Sequence, residues 1–342
     1  MDKKVKFAVI GCGRISYNHI DGITHAPHAD LVAVCDIIEE RARETAEKYG
    51  VPAYYTDIDE MIECEKPDVC CICTPSGLHA ECAIKAAKRG VSVLCEKPLD
   101  VTEEKMQLMI DTCKENNVKL GGIFQRRLFK GSAAVRDAVQ KDFLGKITMG
   151  SAKLRYYRDQ EYYNSDEWRG TWALDGGGAL MNQGIHGVDL LDWIMGGIYS
   201  VTAICDTLHW DIEVEDNAVA MVKFKNGAIG TIEGSTSSFP GLDTVFSISG
   251  TEGTITLGNG GIYDWILKDK SIEKPEIDGD MGGLNCAYST GNYGHTMQIE
   301  DMALAVLEDR EPMVSAKEAM RSTKIILAIY ESARTGKEVV ID

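Results

Sequence analysis

The sequence predicts an α/β chain. A doubly wound parallel sheet is expected in residues 1–122, and an α+β domain on an open, mostly antiparallel sheet in residues 123–342. Up to about residue 122, fully apolar runs alternate with helical periodicity, as strands covered on both faces require. Beyond about residue 145 the texture changes to period-two alternation and tight-turn signals. A chain of 342 residues, 44% of them hydrophobic, also exceeds what one core usually supports, so two domains are expected.

The early strands are VKFAVIG from Val5, LVAVCD from Leu31, DVCCICTP from Asp68, VSVLCEKP from Val91 and VKLGGIF from Val118. Amphipathic segments such as TEEKMQLMIDTCKENN, from Thr102, lie between them as crossover helices. The later strands are KITMGSAKLRYY, SVTAICDTLHW, NAVAMVKF, AIGTIEGST, TVFSISG and GTITLG. KNGA at 225–228 signals a hairpin, because Asn-Gly supplies the positive φ that a tight turn needs. TMQIEDMALAVLED and SAKEAMRSTKIILAIYESARTG read as helices, the second ending at Gly336.

Composition excludes several roles. A formal net charge of -17 argues against nucleic acid or an anionic membrane as partner, since both need a basic surface. The N-terminal apolar run is too short for a signal peptide or membrane span, so a cytoplasmic protein is expected. Its 11 cysteines fall mostly in apolar runs and read as reduced thiols. Cys70 and Cys73 have metal-type spacing, but on a strand they point to opposite faces, so no metal is expected.

GCGRIS follows the first strand and opens a helix. Gly11 permits the tight turn and Gly13 lets backbone approach a pyrophosphate at the helix N-terminus; Ser16 stands at the third small position. Asp36 ends the second strand, where a carboxylate accepts the ribose hydroxyls of NAD and repels the phosphate of NADP. Arg41 and Arg43 keep NADP open as the less favoured cofactor. Glu96, Lys97 and Pro98 leave the end of another parallel strand, the edge where such sheets bind ligands. A partly desolvated lysine there suits a sugar hydroxyl, although a plain surface lysine fits the spacing equally well. Asn182, His186, Asp189 and Trp193 share one stripe of a largely apolar helix, and Asp189 could simply satisfy His186 as a core pair.

These motifs in this order, with CTPSGLHAECAIKAAKRG and GGGALMNQGIHGVDLLDW, resemble the glucose-fructose oxidoreductase, inositol dehydrogenase and rhizopine catabolism (Gfo/Idh/MocA) family over essentially the whole chain. The resemblance implies a Rossmann domain, an open-sheet domain, NAD(P)-dependent oxidation of a sugar or polyol ring hydroxyl, and a homodimer or homotetramer. It assigns Gly11, Gly13, Arg14, Ile15, Asp36, Thr74, Pro75, His79, Glu96, Lys97, Trp168 and Arg169 to the cofactor. It assigns Lys97, Arg127, Arg155, Asn182, His186, Asp189, Tyr293 and His295 to the substrate, with Lys97 and His186 catalytic. Many relatives carry aspartate where this chain has Asn182, and Ser76 stands where asparagine is common. Asparagine cannot act as a base, so the proton is expected to go to His186, with Lys97 stabilising the alkoxide and Asp189 available to orient the histidine ring. WRGTW and GGGALMNQGIH are most similar to the branch that oxidises C3 of UDP-N-acetylglucosaminuronate or related UDP-sugars. The alternatives are a dehydrogenase of a free sugar, inositol or glycoside, and a non-catalytic NAD-binding regulator.

Overall fold

The computed structural model describes residues 3–277 and 293–341. The chain forms two compact units, Met1–Gln125 with Asn292–Met320, and Arg126–Gly291 with Arg321–Asp342. The expected boundary at residues 122/123 lies just before the Gln125/Arg126 division, and the later segment Asn292–Met320 belongs with the first unit.

The first unit is built on β1 (Val5–Ile10), β2 (Ala29–Cys35), β3 (Ala53–Tyr55), β4 (Val69–Ile72), β5 (Ser92–Cys95) and β6 (Leu120–Gly122), in the spatial order β3-β2-β1-β4-β5-β6. Every pairing is parallel. The helices between them are α1 (Ser16–His25), α2 (Glu39–Tyr49), α3 (Ile58–Glu65), α4 (His79–Lys88) and α5 (Glu103–Glu115). Capping fixes two of their starts: Asp57 accepts the Glu60 N–H at 2.9 Å, and Thr102 accepts that of Lys105 at 3.3 Å. Phe7, Val9, Ile20, Ile23, Val69 and Leu94 share one core with Ile299 and Met302 of the helix Tyr293–Leu307. Burying side chains of that size stabilises by about 1.5–3 kcal/mol each, which explains why the late segment joins this unit.

The second unit carries β7 (Ile147–Arg155), β8 (Ile198–Asp206), β9 (Asn217–Phe224), β10 (Ile229–Ser235), β11 (Val245–Gly250), β12 (Gly253–Gly258), β13 (Gly261–Leu267) and β14 (Val339–Val340). They form one sheet in the order β13-β12-β11-β7-β10-β9-β8-β14, antiparallel except for the β7–β10 pair. Its helices include α6 (Lys130–Gln140), α7 (Gln160–Asn164) and α8 (Ile185–Met195), with α8 packed on β7. The strand alternation is direct: in β9, Ala218, Ala220 and Val222 are buried while Val219 and Met221 are exposed. KNGA does close the β9–β10 hairpin, but only Gly227 takes a positive φ, 86°. The helix Ala316–Thr335 ends on Gly336 at φ 67°, whose N–H reaches the Ser332 carbonyl at 2.8 Å, as expected.

Candidate active site

In the first unit the loop after β1 is shaped for a pyrophosphate. Gly11 has φ 95°, and a Cβ there would lie 2.7 Å from the Cys73 carbonyl carbon, so only glycine fits. At Gly13 an added Cβ would meet nothing within 4 Å, which leaves backbone bare at the start of α1. Arg14 is exposed and Ile15 half-buried beside it. Asp36 is half-buried, and its carboxylate accepts the Cys12 N–H at 2.8 Å and the Ile38 N–H at 2.9 Å. Those bonds fix the carboxylate at the end of β2, and lone pairs remain for ribose hydroxyls. Arg43 is engaged by Glu40 at 2.6 Å. These residues fit NAD.

Lys97 is half-buried at the end of β5, and the Lys97–Pro98 bond is cis. The turn is clamped from both sides. His79 reaches the Pro98 carbonyl at 2.7 Å through Nδ1 and the Thr74 carbonyl at 2.8 Å through Nε2, tying the Thr74–Pro75 loop to the lysine turn. Buried Asp100 accepts the N–H groups of Ala80 at 3.0 Å and Val101 at 2.7 Å. Glu96, 4% exposed, accepts the Lys97 N–H at 3.1 Å through Oε2, and its Oε1 faces His19 Nε2 at 3.0 Å and His295 Nε2 at 3.1 Å. His295, expected at the substrate, is thus directed at Glu96. His79 likewise works as a tie between two loops. Tyr293 is half-buried at the start of the same helix as His295.

In the second unit the helix carrying His186 is not α-helical throughout. Residues Ala179–Gly184 form a π-helix that runs into α8 at Ile185, so Asn182 and His186 straddle a junction. The cause is tertiary. Glu215 accepts the N–H groups of Gly178 at 3.0 Å and Leu180 at 2.8 Å, its carbonyl accepts that of Ala179 at 2.9 Å, and Tyr330 donates to its Oε1 at 2.8 Å. A Cβ at Gly178 would sit 2.2 Å from the Glu215 carbonyl oxygen, so glycine permits this approach. π-Turns of this kind concentrate at functional sites.

Burial pushes Glu215 up to about 7 from its usual 4.5, against the pull of the Leu180, Gly178 and Tyr330 donors. Between those values the native group keeps a proton that the unfolded chain releases. Its stabilising contribution is therefore complete below pH 4.5 and lost as the pH rises through about 7. At about 1.4 kcal/mol per pH unit this amounts to roughly 3 kcal/mol. Urea unfolding from pH 4.5 to 8 is expected to fall more steeply for the wild type than for Glu215→Gln, and parallel curves would refute the assignment.

Asn182 donates through Nδ2 to Oδ1 of Asp175, a buried carboxylate that also accepts the Gly170 N–H at 2.9 Å. Gln183 donates to Asn182 Oδ1 and to the Tyr162 hydroxyl, each at 2.9 Å, which fixes the orientation of the amide. Asparagine suits this position because a second carboxylate beside Asp175 would force one of the pair to keep a proton. His186 is half-buried one turn on.

Two residues expected at the substrate bind each other. Arg127 forks onto Asp189, Nε to Oδ2 at 2.8 Å and Nη2 to Oδ1 at 2.6 Å, with Ser322 donating to Oδ1 at 2.7 Å. Both charges are buried, so Asp189 neutralises Arg127 rather than orienting the His186 ring. Arg155 is likewise paired with Glu233. Arg169 bonds Asp166 at 3.0 Å and the Tyr162 hydroxyl at 2.7 Å, and its guanidinium lies 4.6 Å from the Trp168 ring centroid. His19, Asp175 and Glu215 escaped sequence reasoning. GGGALMN was visible, but the acids that serve it lie outside that motif.

Residues 5–123 match the model of the oxidoreductase family with an NAD-binding Rossmann fold, and residues 132–256 match the GFO/IDH/MocA C-terminal domain. The chain is 33% identical to the WlbA dehydrogenase from Bordetella pertussis, solved in complex with NADH and UDP-GlcNAcA, with a TM-score of 0.89 and 99% of each chain covered. It is 27% identical to myo-inositol 2-dehydrogenase from Thermotoga maritima, covering 99% of each. It is also 27% identical to D-glucoside 3-dehydrogenase from Escherichia coli, covering 98% of this chain and 97% of that protein. With a parallel sheet in the order β3-β2-β1-β4-β5-β6, a bare glycine loop and a lysine turn, the chain belongs to the GFO/IDH/MocA oxidoreductases and is an NAD-dependent enzyme of the sugar and polyol dehydrogenase class.

Proposed function

We propose that the protein oxidises a secondary ring hydroxyl of a sugar, at C3 of a UDP-linked acetamido sugar or uronate. The observation that carries this reading is the 33% identity, over 99% of both chains, to a dehydrogenase solved with NADH and UDP-GlcNAcA. NAD supplies the hydride acceptor when bound. The Gly11–Gly13 loop and Asp36 hold the dinucleotide, Asn182 positions the substrate, His186 takes the hydroxyl proton, and Lys97 stabilises the negative charge developing on that oxygen. Arg158, which bonds the Tyr157 carbonyl at 2.7 Å and lies 5.5 Å from the Tyr162 ring centroid, is the arginine we assign to a uronate or diphosphate.

A second reading, oxidation of a free sugar, inositol or glycoside, draws support from one observation: Arg127 and Arg155, assigned to the substrate by the resemblance, spend their guanidinium groups on Asp189 and Glu233 rather than leaving them for an anion. A panel of UDP-sugars, inositols and glycosides followed by NADH absorbance separates the two. Reduction with a UDP-sugar is expected. Its absence with every UDP-sugar, together with reduction by an inositol or glycoside, would establish the second reading.

We also propose a homo-oligomer assembled through the outer face of the second unit's sheet, covered by a second copy of this chain. Met149, Ile204, Val219, Met221 and Ile229 are all more than half exposed there. Lys223 with Glu338 flanks the patch on one side and Arg155 with Glu233 on the other, charges of both signs that a twofold contact can match with itself. Met221→Glu is expected to lower the mass in light scattering to that of one chain, and an unchanged mass would exclude this face.

A further inference from the structure

We infer that the Glu96 carboxylate, gripped by His19 and His295, is a charge that makes the first unit prefer oxidised to reduced nicotinamide. The inference rests on the NAD-dependent reading above.

The strand order sets the direction of the dinucleotide. Asp36, on the β2 side of the glycine loop, takes the ribose of the adenosine half. The other mononucleotide half then lies on the β4–β5 side, where Thr74, Glu96 and Lys97 leave the sheet. Glu96 is buried there, and among the described residues its hydrogen-bond partners are the Lys97 backbone N–H and two imidazoles, with no lysine or arginine side chain. An imidazole donating through Nε2–H does so while neutral, so it satisfies a carboxylate without cancelling its charge. Among the described residues His19 Nδ1 has no hydrogen-bond partner, as expected for a ring whose proton is on Nε2.

Burial works against ionising Glu96, but the hydrogen bonds from His19 and His295 outweigh it and hold the acid well below its usual range. Burial likewise holds His19 below its ordinary value. The three ligand-type atoms lie within 4.8 Å of one another, and the two Nε2–carboxylate contacts are of hydrogen-bond length. With both imidazoles donating as neutral rings, the cluster carries one negative charge in a low-dielectric site, where it attracts a cationic ring and leaves a neutral one unaffected. Oxidised nicotinamide is cationic and reduced nicotinamide neutral. The Lys97 ammonium is common to every variant below and cancels in the comparison.

The test is titration of the full chain and Glu96→Gln with NAD+, NADH and ADP-ribose by calorimetry. Glu96→Gln is expected to weaken NAD+ about tenfold, leave NADH within about twofold and leave ADP-ribose unchanged. A tenfold change in that ratio corresponds to about 30 mV in the two-electron potential of the bound cofactor. His295→Lys, which sets a cation against the intact carboxylate, is expected to move the ratio in the same direction, and it serves if Glu96→Gln does not fold. His295→Gln keeps both the donor and the charge and is expected to leave the ratio unchanged. NAD+ and NADH weakening together, or a ratio unmoved in both Glu96→Gln and His295→Lys, would overturn the inference. Failure of the wild type to bind ADP-ribose or either nicotinamide cofactor would instead overturn the NAD-dependent reading.

Discussion

His186→Ala is expected to turn over on the order of a hundredfold or more slower than the wild type while binding NAD normally, and Lys97→Met to do the same. His186 stands in the first turn of α8 and Lys97 at the end of β5, so both changes leave the Gly11–Gly13 loop and Asp36 themselves unaltered. A general base contributes about 10²–10⁴ in rate, and one well-placed electrostatic stabiliser about 10²–10³. Rapid-mixing NADH formation measures the loss and cofactor titration checks that binding persists. Asn182→Ala is expected to raise KM more than it lowers kcat, because a positioning amide holds ground state and transition state alike. Unchanged turnover in both the His186 and Lys97 variants would remove the mechanism.

The parts of the fold that were legible in the sequence are those that local pattern controls. β4 is a fully apolar run and β1 and β5 are so but for Lys6 and Ser92, because helices cover both faces, and β9 alternates because its sheet has one buried face. β3 was illegible: it is three half-exposed residues, Ala53–Tyr55, held by pairing with β2 rather than by composition. β13 hides because Asp264 interrupts its apolar residues on the sheet edge. In the candidate site, the glycine loop and the lysine turn are contiguous motifs and could be read. The π-turn could not, since it depends on Glu215 seizing the N–H groups of Gly178 and Leu180, 37 and 35 residues away. His19 and His295 meet at Glu96 from 77 and 199 residues away, beyond the reach of any spacing argument.

Arg127→Leu is expected to destabilise the chain by about 3–5 kcal/mol, because it leaves the Asp189 carboxylate buried without its counter-ion. The side chains of Arg127 and Asp189 are 7% and 1% exposed, so water cannot replace the lost partner, and Ser322 supplies only one donor. Burial already pushes Asp189 above the usual carboxylate range, with Arg127 and Ser322 pulling it back. Removing the arginine therefore favours the protonated acid, and the loss is expected to shrink at low pH. The double variant Arg127→Leu with Asp189→Leu removes both charges and is expected to recover most of the stability, since apolar replacement of a buried pair is often neutral. Urea unfolding of the wild type, both single variants and the double variant gives the coupling energy directly. The same cycle, read by KM, tests the role that the sequence suggested. If Arg127 held the substrate, the double variant would fold well and still lose affinity. If the pair serves only to tie the Gln125–Leu128 turn to α8, KM recovers with stability, and recognition of the proposed anionic substrate falls to Arg158 and the Tyr162 ring beside it.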